Sequence, residues 1–214
     1  MPRPVEILVS ALVVGAGFGA ATSLMNALSH SFADLESRTY TTRGWSIAEI
    51  MSVLLDSGWA WAGLAVAVGW LVTRARRNRP PAPVWGGAVA GALALLAATA
   101  AYSVADTIRS GWELPWYESE WIWWIAGVVF GPPLGAVGAC VKRSGVIGLL
   151  ARLTVPVGAA VQMVVLPPGR NEVVETIGKT VVWTASAVII GFIVARFLRA
   201  ERPRHSPEPG EAIP

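Results

Sequence analysis

Long apolar stretches alternate with short polar ones along the whole chain. Six of them, about Val5 to Leu28, Ile50 to Val72, Val84 to Ile108, Trp121 to Val141, Val146 to Leu166 and Val173 to Phe197, each approach the length at which an α-helix crosses a bilayer. The pattern predicts an all-α, polytopic membrane bundle of six transmembrane helices over residues 1–200, followed by a short, polar, proline-rich tail, 201–214, too hydrophilic to pack. The first stretch begins after Arg3 and ends in small residues, as a secretory leader would. It is longer than a leader's apolar core, and removing it would leave an odd number of spans, so a retained helix is expected.

The charges between the spans fix an orientation. Arg74, Arg76, Arg77 and Arg79 follow the second span, Lys142 and Arg143 the fourth, and Arg196, Arg199, Arg202 and Arg204 the sixth, whereas the alternate loops are acidic. By the positive-inside rule these basic segments and both termini are cytoplasmic, in a multi-pass protein of the cell membrane. A hydrophobic share of 54% against 14% charged residues agrees with lipid as the solvent. The net charge of +3 is then explained by topology and anionic lipid, and no nucleic-acid partner is expected. Arg outnumbers Lys 15 to 2, a bias usual in GC-rich bacterial coding.

Within this frame the candidate chemistry is sparse. With Cys140 the sole cysteine and only His30 and His205, no metal cluster, cofactor site or histidine-based catalytic group can be assembled within the spans, and an enzyme is not expected. Ionisable groups in spans are costly and therefore informative. Asp56, Asp106, Glu175 and Lys179, with Gln162, fall at similar depth toward the acidic end, and Glu175 and Lys179 have the spacing of an intrahelical ion pair. Together with Trp59 and Trp183 they are the candidate lining of an outward-opening polar pocket for a small molecule. The bland alternative is a ring of interfacial charges tying helix ends together.

Other features set local expectations. Gly15 and Gly19, and likewise Ala16 and Ala20, stand four apart on the first helix, a face that admits close helix approach either within the bundle or onto a partner membrane subunit. Ser46-Ile47-Ala48-Glu49 predicts a capping box opening the second helix, which should then run unbroken with Asp56 near the outer boundary. Pro132, Pro133 and Pro156 each remove a ladder donor and should kink or break the fourth and fifth helices. Arg152, about two turns inside the inner end of the fifth span, should either snorkel or reach a carbonyl freed by Pro156. Most of the eleven tryptophans cluster near predicted boundaries as an aromatic belt.

Ser57-Gly58-Trp59-Ala60 opening a helix, the basic run from Arg74 to Arg79, the Ala-rich third span and Gly131-Pro132-Pro133-Leu134-Gly135 in the fourth give the chain a family likeness. Over roughly residues 8 to 170 it resembles the bacterial membrane proteins grouped as domain of unknown function 6518, a resemblance that implies no activity. More loosely, it is similar to the substrate-capture subunits of energy-coupling-factor transporters. That similarity implies a docking pair at Ala16 and Ala20, a gating loop from His30 to Trp45, and a small-molecule ligand entering from outside.

Overall fold

The computed structural model describes residues 4–35, 46–74, 83–109, 120–167 and 172–201. The loop from 36 to 45, the Arg76–Arg79 segment, the loop from 110 to 119 and the tail beyond 201 lie outside the described residues, as do the sequence expectations that fall on them. Seven helices account for the described chain: α1 (Pro4–Leu35), α2 (Ile47–Leu55), α3 (Gly58–Thr73), α4 (Val84–Arg109), α5 (Glu120–Cys140), α6 (Gly145–Val165) and α7 (Glu172–Glu201). Five are long and apolar enough to cross a membrane, or six if α2 and α3 are counted as one bent span.

The second span therefore departs from the expected continuous helix. It breaks at Asp56 and Ser57, and α2 lies 61° off the line of α3. The capping box does form as predicted: Glu49 N–H donates to Ser46 Oγ at 3.1 Å, and Ser46 N–H donates to the Glu49 carboxylate at 3.0 Å. Nine residues later the ladder stops. Ser57 is extended (φ −76°, ψ 143°), and its hydroxyl donates back to the Leu54 carbonyl at 2.6 Å. Asp, Ser and Gly in succession all favour turns over helix interiors, because their side chains compete for backbone groups or, for Gly, leave the backbone free.

The core is built around α4, which packs against α1, α3 and α5. Ala11, Leu64, Ala65, Val68, Ala90, Ala94, Leu95 and Ala98 form its main buried cluster. Few large side chains separate these helices, so their backbones nearly touch. A Cβ added at Gly15 would fall within 3 Å of the Ala94 backbone, and one at Gly19 within 3 Å of Ala98. Gly135 of α5 is similarly confined by Gly87 and Gly91 of α4. Close backbone packing of this kind replaces the hydrophobic driving force that lipid removes.

The α6–α7 hairpin stands beside this unit. Helix α6 packs on α3, and α7 touches the rest of the chain mainly through α6 and α2. A smaller buried cluster of Ala159, Met163 and Val182, with Leu54 and Trp59 packed on it, joins the hairpin to the α2–α3 break. Both α5 and α6 continue as single helices through their prolines, so neither breaks there. The turn between them is tight: Gly145 takes a positive φ of 72°, and a Cβ at Gly148 would strike the Arg143 carbonyl. Arg152 reaches back toward the basic end, its Nε donating to the Val141 carbonyl at 2.8 Å, which is the snorkelling alternative rather than a bond to a proline-freed group. At the same end the Trp70 ring carries Arg74 at 5.4 Å and Lys142 at 5.8 Å, linking α3 to the α5–α6 turn through cation–π contacts.

Candidate functional site

The seven residues singled out from the sequence fall into two groups on either side of the α2–α3 break. Asp56 belongs with α1 and α4. Asn26 of α1 donates through Nδ2 to the Asp56 carboxylate at 3.2 Å and to the Tyr102 hydroxyl at 3.0 Å, while the buried Ser52 hydroxyl donates to Asn26 Oδ1. Asp106, one turn beyond Tyr102, pairs with Arg109, whose guanidinium also donates to the Ser23 carbonyl at 2.8 Å. One amide side chain thus ties three helices together at the acidic end. Asn26 is only 7% exposed, and Thr22, Ser23 and Ser29 of the same helix are also buried.

The other group belongs with α6 and α7. Gln162 of α6 accepts the Trp59 N–H at 2.7 Å, capping one of the orphan donors at the start of α3. Lys179 and Glu175 pair along α7 at 2.5 Å, as their spacing predicts. Trp183 donates from its indole to the Ala160 carbonyl at 3.2 Å, and the ring is 46% exposed. Trp59 packs on the Ala159–Met163–Val182 cluster with its indole nitrogen buried and unbonded. Asp106 sits on α4 and Lys179 on α7, helices that pack mainly on different neighbours. The similar depth of these groups is a fact of the sequence, but helix rotation directs them to different partners.

The small-residue face of α1 is divided in the same way. Gly15 and Gly19 are buried against α4, so that half of the proposed docking surface is used inside the bundle. Ala16 is partly buried and Ala20 exposed.

A cavity lies elsewhere, between α3, α4 and α5. It is a partly open cleft of about 330 Å³ whose walls are Gly58, Trp61 and Ala62 from α3, Leu95 and Thr99 from α4, and Trp123, Ala126, Gly127, Phe130 and Leu134 from α5. The lining is almost wholly apolar. Thr99, its one hydroxyl, is spent on the Leu95 carbonyl at 3.0 Å. Trp61 forms the back wall, edge-on to Phe18 at 5.6 Å and tilted toward Trp123 at 6.4 Å. Trp123 and Phe130 are each more than half exposed, so the mouth opens on the exposed, apolar side of α5. From Trp123 to Leu134 the groove extends about 16 Å along that helix.

The sequence reading did not find Asn26 or Tyr102, nor the cleft. A signal for Asn26 was present, since an uncharged amide within an otherwise apolar span needs an interhelical partner. Among the described residues no group of three His, Cys, Asp or Glu side chains is placed to share a metal ion. Comparison with protein-family models, with curated proteins and with solved structures finds no match for this chain.

Proposed function

We propose that the chain is a non-enzymatic membrane protein that holds a small apolar molecule, the acyl chain of a lipid, in the cleft between α3, α4 and α5. The carrying observation is the cleft itself. Its volume lies in the range of small-ligand sites, its walls are aromatic and aliphatic, and its mouth faces the region where hydrocarbon chains are the solvent. A polar solute would gain no hydrogen bonds there, so the hydrophilic small molecule suggested by Asp56, Gln162 and Lys179 is the less favoured ligand. The cleft occupies the half of the bundle nearer the acidic end, which the distribution of basic residues assigns to the outer leaflet.

A photoactivatable phosphatidylglycerol with a mid-chain diazirine, in bilayers containing the full chain, should give adducts concentrated on residues 123–134 and around Thr99. Ala126→Trp, which fills the groove, should lower those adducts about tenfold, equivalent to about 1.4 kcal/mol of lost affinity. Adducts spread evenly over lipid-facing α7 as well would count against a site.

The orientation has its own test. In a Cys140→Ala background, a cysteine at Glu118 should react with a membrane-impermeant thiol reagent in intact cells, and one at Asn78 should react only after lysis. Reaction at residue 78 in intact cells would overturn the assignment of both termini to the cytoplasm.

A second reading, an accessory subunit that docks a partner membrane protein, draws its support from α7. This 30-residue helix leaves Val181, Val188, Ile189 and Phe192 exposed and touches little of the remaining bundle.

A further inference from the structure

The break in the second span gives one backbone donor two available acceptors. In a continuous helix the Trp59 N–H would bond to the carbonyl of Leu55, four residues earlier. In the bent chain it bonds to Gln162 Oε1 at 2.7 Å instead. Exchanging one acceptor for the other leaves the donor satisfied in both arrangements, a condition for two discrete positions to lie close in free energy. The rest of the hinge is built for such an exchange. Ser57 and Gly58 are both tolerated in turns and in helices, and Ser57 contributes no side-chain cap to α3.

We infer that α2 and α3 are a two-position element. In the bent position α2 lies across the acidic end between α1 and α7, held on one side by Asn26 through Ser52 and Asp56, and on the other by Leu54 packed on the Ala159–Met163–Val182 cluster. In the straight position Trp59 leaves Gln162, the helix runs without interruption from Ile47 to Thr73, and α2 lifts out of the space between α1 and the α6–α7 hairpin. Because the hairpin meets the rest of the chain mainly through α3 and α2, this movement loosens it from the bundle at the acidic end. Gln162 acts as a positioning residue, selecting the bent form by supplying the competing acceptor. The inference does not depend on what fills the cleft.

The test uses the full chain in bilayers, with Cys140→Ala and spin labels on cysteines at Ile47 and Arg74, both exposed positions. With nine residues before the hinge, sixteen after it and a 61° bend, straightening should lengthen the label separation by about 5 Å. The parent should show the shorter distance. Gln162→Leu should add a population about 5 Å longer, whereas Gln162→Glu, which keeps a carboxyl oxygen as acceptor, should remain short. Ser57→Ala combined with Gly58→Ala favours the continuous ladder by propensity, and its new Cβ at residue 58 would lie 3.2 Å from Gln162 Oε1. This double variant should show the longer population even if Gln162→Leu does not fold. Distances unchanged in Gln162→Leu or, where that variant is lost, in the double variant would overturn the two-position element. A shift in Gln162→Glu equal to that in Gln162→Leu would overturn the role of the acceptor.

Discussion

Gly135→Ala should cost at least about 3 kcal/mol of stability, and Gly135→Leu should yield no folded protein. One methyl group is enough because there is nowhere for it to go. A Cβ at residue 135 would fall within 3 Å of the Gly87 carbonyl and the Gly91 Cα, both backbone atoms of α4. The same stretch of α5 lies against α3, where a Cβ at Gly69 would strike the Gly135 carbonyl. Relief would require moving three helix backbones at once, and close-packed interiors transmit such a shift instead of absorbing it. The measurement is denaturant or heat unfolding in detergent, read by the fraction remaining monodisperse. Gly17→Ala, Gly158→Ala and Gly191→Ala serve as controls, since a Cβ at each meets nothing within 4 Å. These should stay within about 1 kcal/mol of the parent and could exceed it, because Ala is the better helix former. If Gly135→Ala behaved like the controls, the close α3–α4–α5 approach would be wrong.

That contrast also shows what the sequence could carry. Apolar stretches mark the helices because crossing lipid requires length and composition alone, and the described spans agree with the expected ones to within a few residues at most ends. The Ser46–Glu49 box and the Glu175–Lys179 pair were legible for a related reason: both partners are three or four residues apart, so local geometry decides them. The break at Asp56 and Ser57 was written in three consecutive turn-favouring residues, yet the apolar run continuing on both sides concealed it. Whether such residues break a helix depends on outside acceptors and donors, here Gln162 and Asn26, that sequence spacing cannot supply. The candidate site residues divide between two sets of partners for the same reason. Depth can be read from position along a span, but rotation about the helix axis depends on which neighbour packs against it. Gly15 and Gly19 illustrate the point: a small-residue face is visible in sequence, while its occupant, α4, is visible only in the fold.

Asn26→Leu should detach α2 at a cost of about 2 to 4 kcal/mol, the second largest effect expected. The estimate follows from its bonds to Ser52, Asp56 and Tyr102, each crossing between helices, at membrane values of about 0.6 kcal/mol on average and about 1.7 at most. Because Asp56 lies exposed at the hinge, water can replace part of its share, which keeps the total below the glycine clash. The loss should be local. Hydrogen exchange should accelerate at the amides of residues 47–55, whose helix is too short to persist without tertiary support. The α4–α5 contact, built from glycine backbones and not from this network, should keep its protection. Asn26→Asp separates the parts of the effect, because it retains an acceptor for Ser52 while losing the donor to Asp56 and Tyr102 and adding a second carboxylate beside Asp56. It should therefore loosen α2 while keeping the Ser52 contact, whereas Asn26→Leu loses all three bonds. Equal acceleration across α2, α4 and α5 in Asn26→Leu would mean that the amide supports the whole bundle and not the attachment of one tilted helix.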